Sequence, residues 1–139
     1  MKIGFITLSI IILLSSCASS KALTEVRDDF DRRVREYNNL LSSEKFEQAG
    51  SLVVESHRGD FNTRANAARN VQVIDYQILS ITDEIQEKGA ATANVQINYT
   101  IPPSSEIKTV VDSQNWSYVY VKEEGRKRWC LMTLLPEFK

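Results

Sequence analysis

Hydrophobic positions follow three patterns along this chain, and each predicts a different kind of element. From Ala22 the apolar residues Leu23, Val26, Phe30, Val34, Tyr37 and Leu41 recur at steps of three or four, the stripe of a helix buried along one face. Arg27, Asp28, Asp31, Arg32, Arg35 and Glu36 fill the opposite face, with Asp28 and Arg32, and Asp31 and Arg35, four apart in the favourable order. Ser42 and Ser43 are candidate caps for a second helix, with Glu44 in its first turn; Phe46, Ala49, Leu52 and Val53 form its inner face and Gly59 its stop. Thr63 caps a short third helix through Arg69, and the basic residues 58, 64 and 69 read as a solvated connector.

After Asn70 the period shortens to two. Residues 71–81 are rich in β-branched and aromatic side chains and predict a strand, with a turn at Glu87-Lys88-Gly89. The next segment alternates cleanly, Ala91, Ala93, Val95, Ile97, Tyr99 and Ile101 on one side and Thr92, Asn94, Gln96, Asn98 and Thr100 on the other. Pro102-Pro103 ends it, since neither residue donates to a ladder. A third strand is expected from about Ile107 to Lys122, bent or bulged around Asp112-Ser113-Gln114-Asn115, and a fourth from Arg126 to Leu135 after the turn at Glu123-Glu124-Gly125. The predicted class is α+β: two or three N-terminal helices packed on a curved, cone-like, four-stranded antiparallel meander. Two strands read as apolar on both sides, Ile74, Tyr76 and Ile78 opposing Val71, Val73 and Leu79, and Trp129, Leu131 and Leu135 opposing Cys130, Met132 and Leu134. Helices cover only one face of a sheet, so the pattern predicts a protein partner or a homodimer on the other, or a loop or terminus folded over it.

The first residues follow a third pattern. Met1 and Lys2 precede an apolar run from Ile3 to Leu14, too short to span a bilayer, and the run closes on Leu14-Ser15-Ser16-Cys17. This tetrapeptide resembles a bacterial lipobox. The resemblance implies a lipoprotein precursor: residues 1–16 a signal peptide, diacylglycerol on the Cys17 thiol, cleavage before Cys17, and acylation of the new amino group. A cysteine is needed there because a thiolate is nucleophilic enough near neutral pH to take the lipid as a thioether. One acyl chain holds reversibly, whereas two or three make the attachment effectively permanent. Residues 17–21 then form a lipidated tether and 22–139 a single domain. Ala18 rather than Asp after the cysteine implies transfer to an outer membrane, facing the periplasm, in an organism with two membranes, and otherwise the outer face of the cytoplasmic membrane.

Charge changes the picture by exclusion. The 139-residue chain carries 17 basic and 18 acidic residues, and losing Lys2 with the leader leaves a formal net of −2, mixed along the sequence. Nucleic acid is therefore not an expected partner; the membrane is reached through acyl chains on Cys17. Cys130 is the remaining cysteine and reads as a buried apolar strand residue. With one histidine and no paired cysteines, neither a metal site nor a cofactor is expected.

Order and spacing resemble the nuclear transport factor two-like superfamily, a cone of helices packed into a strongly bent sheet. The matching residues are Phe30, Tyr37-Asn38-Asn39-Leu40-Leu41 and Phe46-Glu47-Gln48-Ala49, then Val119-Tyr120-Val121, Gly125 and Trp129-Cys130-Leu131. Enzymes of that superfamily place acids, bases and tyrosines inside the cone. The corresponding candidates here are Asp75, His57 and Tyr99 for catalysis as an isomerase, dehydratase or hydrolase, with Tyr99, Tyr76 and Trp116 as pocket walls. Each has a structural reading beside it: Asp75 as a surface charge, His57 at a helix end, the aromatic residues as core with a wet tip. The balance of these readings is a lipid-anchored, non-catalytic binding or assembly module for a protein partner or a small apolar ligand.

Overall fold

A computed structural model describes residues 15–139, with side chains from residue 22 onward. The leader read at residues 1–16 lies outside the described residues apart from the backbone of Ser15 and Ser16, as does the Cys17 side chain. Helix α1 (Ser15–Ser42) is followed by α2 (Phe46–Ala49), two 3-10 turns (Gly50–Leu52 and Glu55–His57) and α3 (Arg58–Ala67). Strands β1 (Gln72–Glu84), β2 (Ala90–Thr100), β3 (Lys108–Val121) and β4 (Arg126–Leu131) follow, with a one-turn helix α4 (Ile85–Lys88) between the first two. The sheet is an antiparallel meander in the order β1-β2-β3-β4, so the α+β class and the element order are as the periodicity predicts.

Four boundaries differ, each for a local reason. Helix α1 begins at Ser15, before the apolar stripe, so residues 17–21, read as the tether, carry helical backbone. Glu44 does not open the second helix; it takes the left-handed conformation (φ 60°) and closes the first, with Lys45 N–H donating to the Leu40 carbonyl at 2.9 Å. Ser42 and Ser43 cap nothing, because Lys45 holds the N-cap position of α2. The second helix breaks after Ala49 into 3-10 turns, and α3 starts at Arg58, with Gly59 inside it and the Thr63 hydroxyl donating back to the Gly59 carbonyl at 3.1 Å.

The core lies between α1 and the inner sheet face. Phe30, Val34, Tyr37 and Leu41 of the predicted stripe are all buried there, against Ala91, Ala93, Val95, Ile97 and Tyr99 of β2. Trp116 packs edge-on against Phe30 (centroids 6.4 Å apart) and Tyr37 (5.8 Å), and Trp129 sits 5.0 Å from Phe30 while its indole N–H donates to the Val26 carbonyl. Aromatic rings thus fill the space between α1 and strands β3 and β4.

The bulges lie in β1, not in β3, whose pairing with β2 runs without a shift from Lys108 to Ser117. Ile74 and Leu79 are the extra residues, and each moves the alternation by one position. Val73, Tyr76 and Ile78 therefore share the inner side, opposite Tyr99, Ile97 and Val95, while Asp75, Gln77 and Ser80 turn outward opposite Asn98, Gln96 and Asn94. The paired positions on the second face of this strand are consequently polar, with Ile74 and Leu79 partly exposed at the bulges. Cross-strand bonds knit it: Asn98 to Asp75 (2.7 Å), Thr109 to Asn98 (2.8 Å), Ser113 to Asn94 (2.6 Å), Asn94 to Ser80 (3.0 Å) and Thr92 to Asn115 (3.0 Å). The bulged register thus replaces the strict two-sided apolar alternation expected of β1 with an outward row of polar paired residues.

Candidate functional site

Three polar side chains are buried among the described residues, and they touch: Asn38 on α1, and Asp112 and Gln114 on β3. Regular alternation through β3 turns Asp112, Gln114 and Trp116 toward the helices. The Gln114 amide donates to Asn38 Oδ1 (2.9 Å) and to Asp112 Oδ2 (3.0 Å); the Asn38 amide donates to the Val34 carbonyl (2.8 Å) and to Gln114 Oε1 (3.2 Å). Reciprocal amide bonding satisfies both amides, so the network pins α1 to β3 at one register. Burial pushes the Asp112 carboxyl up from 3.8 to about 6, against the opposing pull of the Gln114 hydrogen bond. Tyr37, fully buried nearby, has its phenol pushed well up by burial and by the Asp112 charge, and its hydroxyl has no partner among the described residues.

Asp112 also faces a cleft of about 590 Å³ lined by His57, Asp60 and Arg64 of the α3 region, Val110 to Ser113 of β3, and residues 132–134, 136 and 137 of the C-terminal segment. The cleft exists because β4 stops early. The last strand was expected to reach Leu135, but its pairing with β3 ends at Trp116 opposite Leu131. Met132 N–H still donates to the Asn115 carbonyl (2.7 Å), whereas the Met132 carbonyl is taken by His57 Nδ1 (3.0 Å). A carbonyl only accepts, so Nδ1 carries a proton and donates it. Two turns on, Arg64 donates to the Leu135 carbonyl at 2.9 Å. These two side chains draw the C-terminal segment toward α3 and away from β3.

The residues singled out from sequence are not brought together. Asp75 is exposed and bonded to Asn98 on the outer face, which removes it as a buried base; the bulge at Ile74 is the reason. Tyr99 is buried, and its hydroxyl both donates to the carbonyl of Lys139 (2.8 Å) and accepts from the Lys139 N–H (3.1 Å), an anchor for the chain end rather than a pocket wall. Tyr76 donates to Asn39 Oδ1 at 2.9 Å, tying β1 to α1, and Trp116 is core. His57 alone of that set lines the cleft. Asp112 was missed because Asp112-Ser113-Gln114-Asn115 reads as a bend; the signal that finds it is its shared phase with Val110, Trp116 and Tyr118. Buried Cys130 is free, as its apolar neighbours suggested.

Among solved structures the chain is similar to a SEC-C motif containing protein from Psychrobacter arcticus, with a TM-score of 0.60 and 11% identity over 81% of this chain and 64% of that one. The likeness shows a shared fold, and this chain spans less than two thirds of that protein's length. No family model matches the sequence, and no curated protein does.

Proposed function

We propose that the chain is a lipid-anchored envelope protein whose α+β domain is a non-catalytic module, holding a protein partner or a small apolar ligand beside the membrane. The observation that carries the address is Leu14-Ser15-Ser16-Cys17 at the end of an apolar run. Binding is favoured over catalysis because Asp75, Tyr99 and His57 stand on different parts of the molecule, and packed aromatic rings fill the interior where a superfamily enzyme would keep its pocket. The anchor belongs in the outer membrane facing the periplasm where the cell has two membranes, and on the outer face of the cytoplasmic membrane otherwise. Metabolic labelling with an alkyne palmitate analogue, followed by membrane fractionation, tests it. Label and membrane association are expected in the native chain and absent in Cys17→Ser; an unlabelled native chain still carrying residues 1–16 overturns the reading.

One observation favours a second reading. Asp112 and His57 line the same cleft, and a carboxyl near 6 sharing a cleft with an imidazole suits proton transfer in an isomerase, dehydratase or hydrolase. Under that reading Asp112→Asn abolishes a turnover that Asp75→Asn leaves intact.

A further inference from the structure

Where β4 peels away, β3 keeps an edge with no strand paired to it among the described residues. Asn115 turns its carbonyl to the β4 side, as its bond from Met132 shows. Main-chain groups of a strand point to alternate sides, so Ser113, Val111 and Thr109 turn their N–H and C=O groups the same way. Among the described residues none of these groups is bonded on that side, and they span roughly 14 Å at about 3.4 Å per residue. This stretch is unbulged and borders the 590 Å³ cleft. The other free edge, along β1, is blunted by its bulges at Ile74 and Leu79.

The cleft has a sign as well as a shape. Asp60, Asp112 and Glu137 line it against one guanidinium, Arg64, which already serves the Leu135 carbonyl and lies 3.8 Å from Glu137. Asp60 and Asp112 make no salt bridge among the described residues. Val110, Met132, Leu134 and Pro136 supply apolar wall between them.

We infer that the free edge of β3 at Thr109, Val111 and Ser113 takes up an extended segment of a partner protein as an added strand, with a Lys or Arg of that segment reaching Asp60 and Asp112. Main-chain bonds to the edge give the affinity, and alternate side chains give the selectivity. His57 and Arg64 are positioning residues here: they hold the C-terminal segment off the edge and keep the slot open. The inference rests on the binding-module reading and names its partner class and its place.

The test uses the full lipidated chain in detergent micelles and a fluorescent Val-Lys-Val-Lys-Val-Lys peptide with blocked ends. Anisotropy is expected to report saturable binding, and hydrogen exchange is expected to slow in the segment 108–114. Of two further probes, one N-methylated at its valines and one at its lysines, one loses tenfold or more in affinity and the other retains it, the signature of a strand with one bonded side. Val111→Pro, which removes one edge N–H, also loses tenfold or more; the methylated probes carry the test if that variant does not fold. Equal behaviour of the two methylated probes, equal binding of a blocked Val-Glu-Val-Glu-Val-Glu control peptide, or unchanged exchange in 108–114 overturns the inference. Self-association with protection of 108–114 in the absence of peptide overturns the partner-protein occupant in favour of a second copy. A captured envelope partner that leaves 108–114 unprotected sinks this inference and spares the binding-module reading; a native chain that proves unlipidated yet binds the peptide spares this inference and sinks the lipid anchor.

Discussion

Asp112 is a carboxyl that the fold holds against its own ionisation. It is 6% exposed, and the rise from 3.8 to about 6 corresponds to on the order of 3 kcal/mol against the charged form. Because the folded value lies above the unfolded one, the neutral acid's contribution is present below about pH 4 and is lost as pH rises through about 6. Asp112→Asn keeps the shape and the bond from Gln114 and removes the charge. It is expected to be more stable than the native chain by about 1–2 kcal/mol at pH 7.5, with the advantage vanishing near pH 4, as chemical denaturation across that range will show. The Tyr37 hydroxyl is a second uncompensated group, fully buried with no partner among the described residues. Tyr37→Phe should cost nothing or raise stability by up to about 1 kcal/mol, where deleting a bonded phenol would lower it. Neither residue was legible as special: Tyr37 reads as one more position of the apolar stripe, and Asp112 as a turn residue. Burial is a sum over neighbours brought from distant parts of the chain, so a single residue type does not disclose it.

Elements were legible in proportion to the regularity of their pattern. Strand β2 alternates without exception and lies where its alternation places it, while the stripe from Leu23 to Leu41 gives the buried face of α1. Strand β1 has the same kind of composition but an irregular phase, and its two bulges leave Ile74 and Leu79 about half exposed, at 49% and 48%. A bulge is a property of the pair, set by where β2 offers partners, so β1 by itself carries no mark of it. The break after Ala49 has a similar origin. Gly50 is buried under α3, and a Cβ there would come within 2.8 Å of Asn62 Oδ1 and 3.3 Å of Phe61 Cδ1. Its backbone is ordinary right-handed helix (φ −59°), so Gly50→Ala would gain about 1 kcal/mol on propensity alone. The crowding against Phe61 is expected to outweigh that, for a net loss of about 1 kcal/mol measured by thermal denaturation.

At the scale of the whole molecule the C-terminal segment joins the parts. Leu135 is buried, Phe138 stacks edge-on against Tyr99 (4.9 Å) and packs 6.2 Å from Phe46, and Tyr99 grips the main chain of Lys139. This strap ties α2 to β2 and leaves the cleft on its flank. Phe138→Ala should lower stability by about 1–2 kcal/mol and speed exchange at both ends of the strap, a pattern that loss of a surface residue would not produce. The sequence by itself determined the α+β class, the order of the elements, the buried faces of α1 and β2, and the lipobox-like tetrapeptide, because each is written in spacing or in contiguous residues. Tertiary structure alone decided that Asp75 faces water and Asp112 the interior, that Gln77 and Ser80 turn outward beside Asp75, and that β4 leaves β3 early. Those outcomes turn on pairing register and on side chains such as His57 and Arg64 capturing carbonyls more than seventy residues away. Competition between distant hydrogen-bond partners is settled only when the chain has closed on itself.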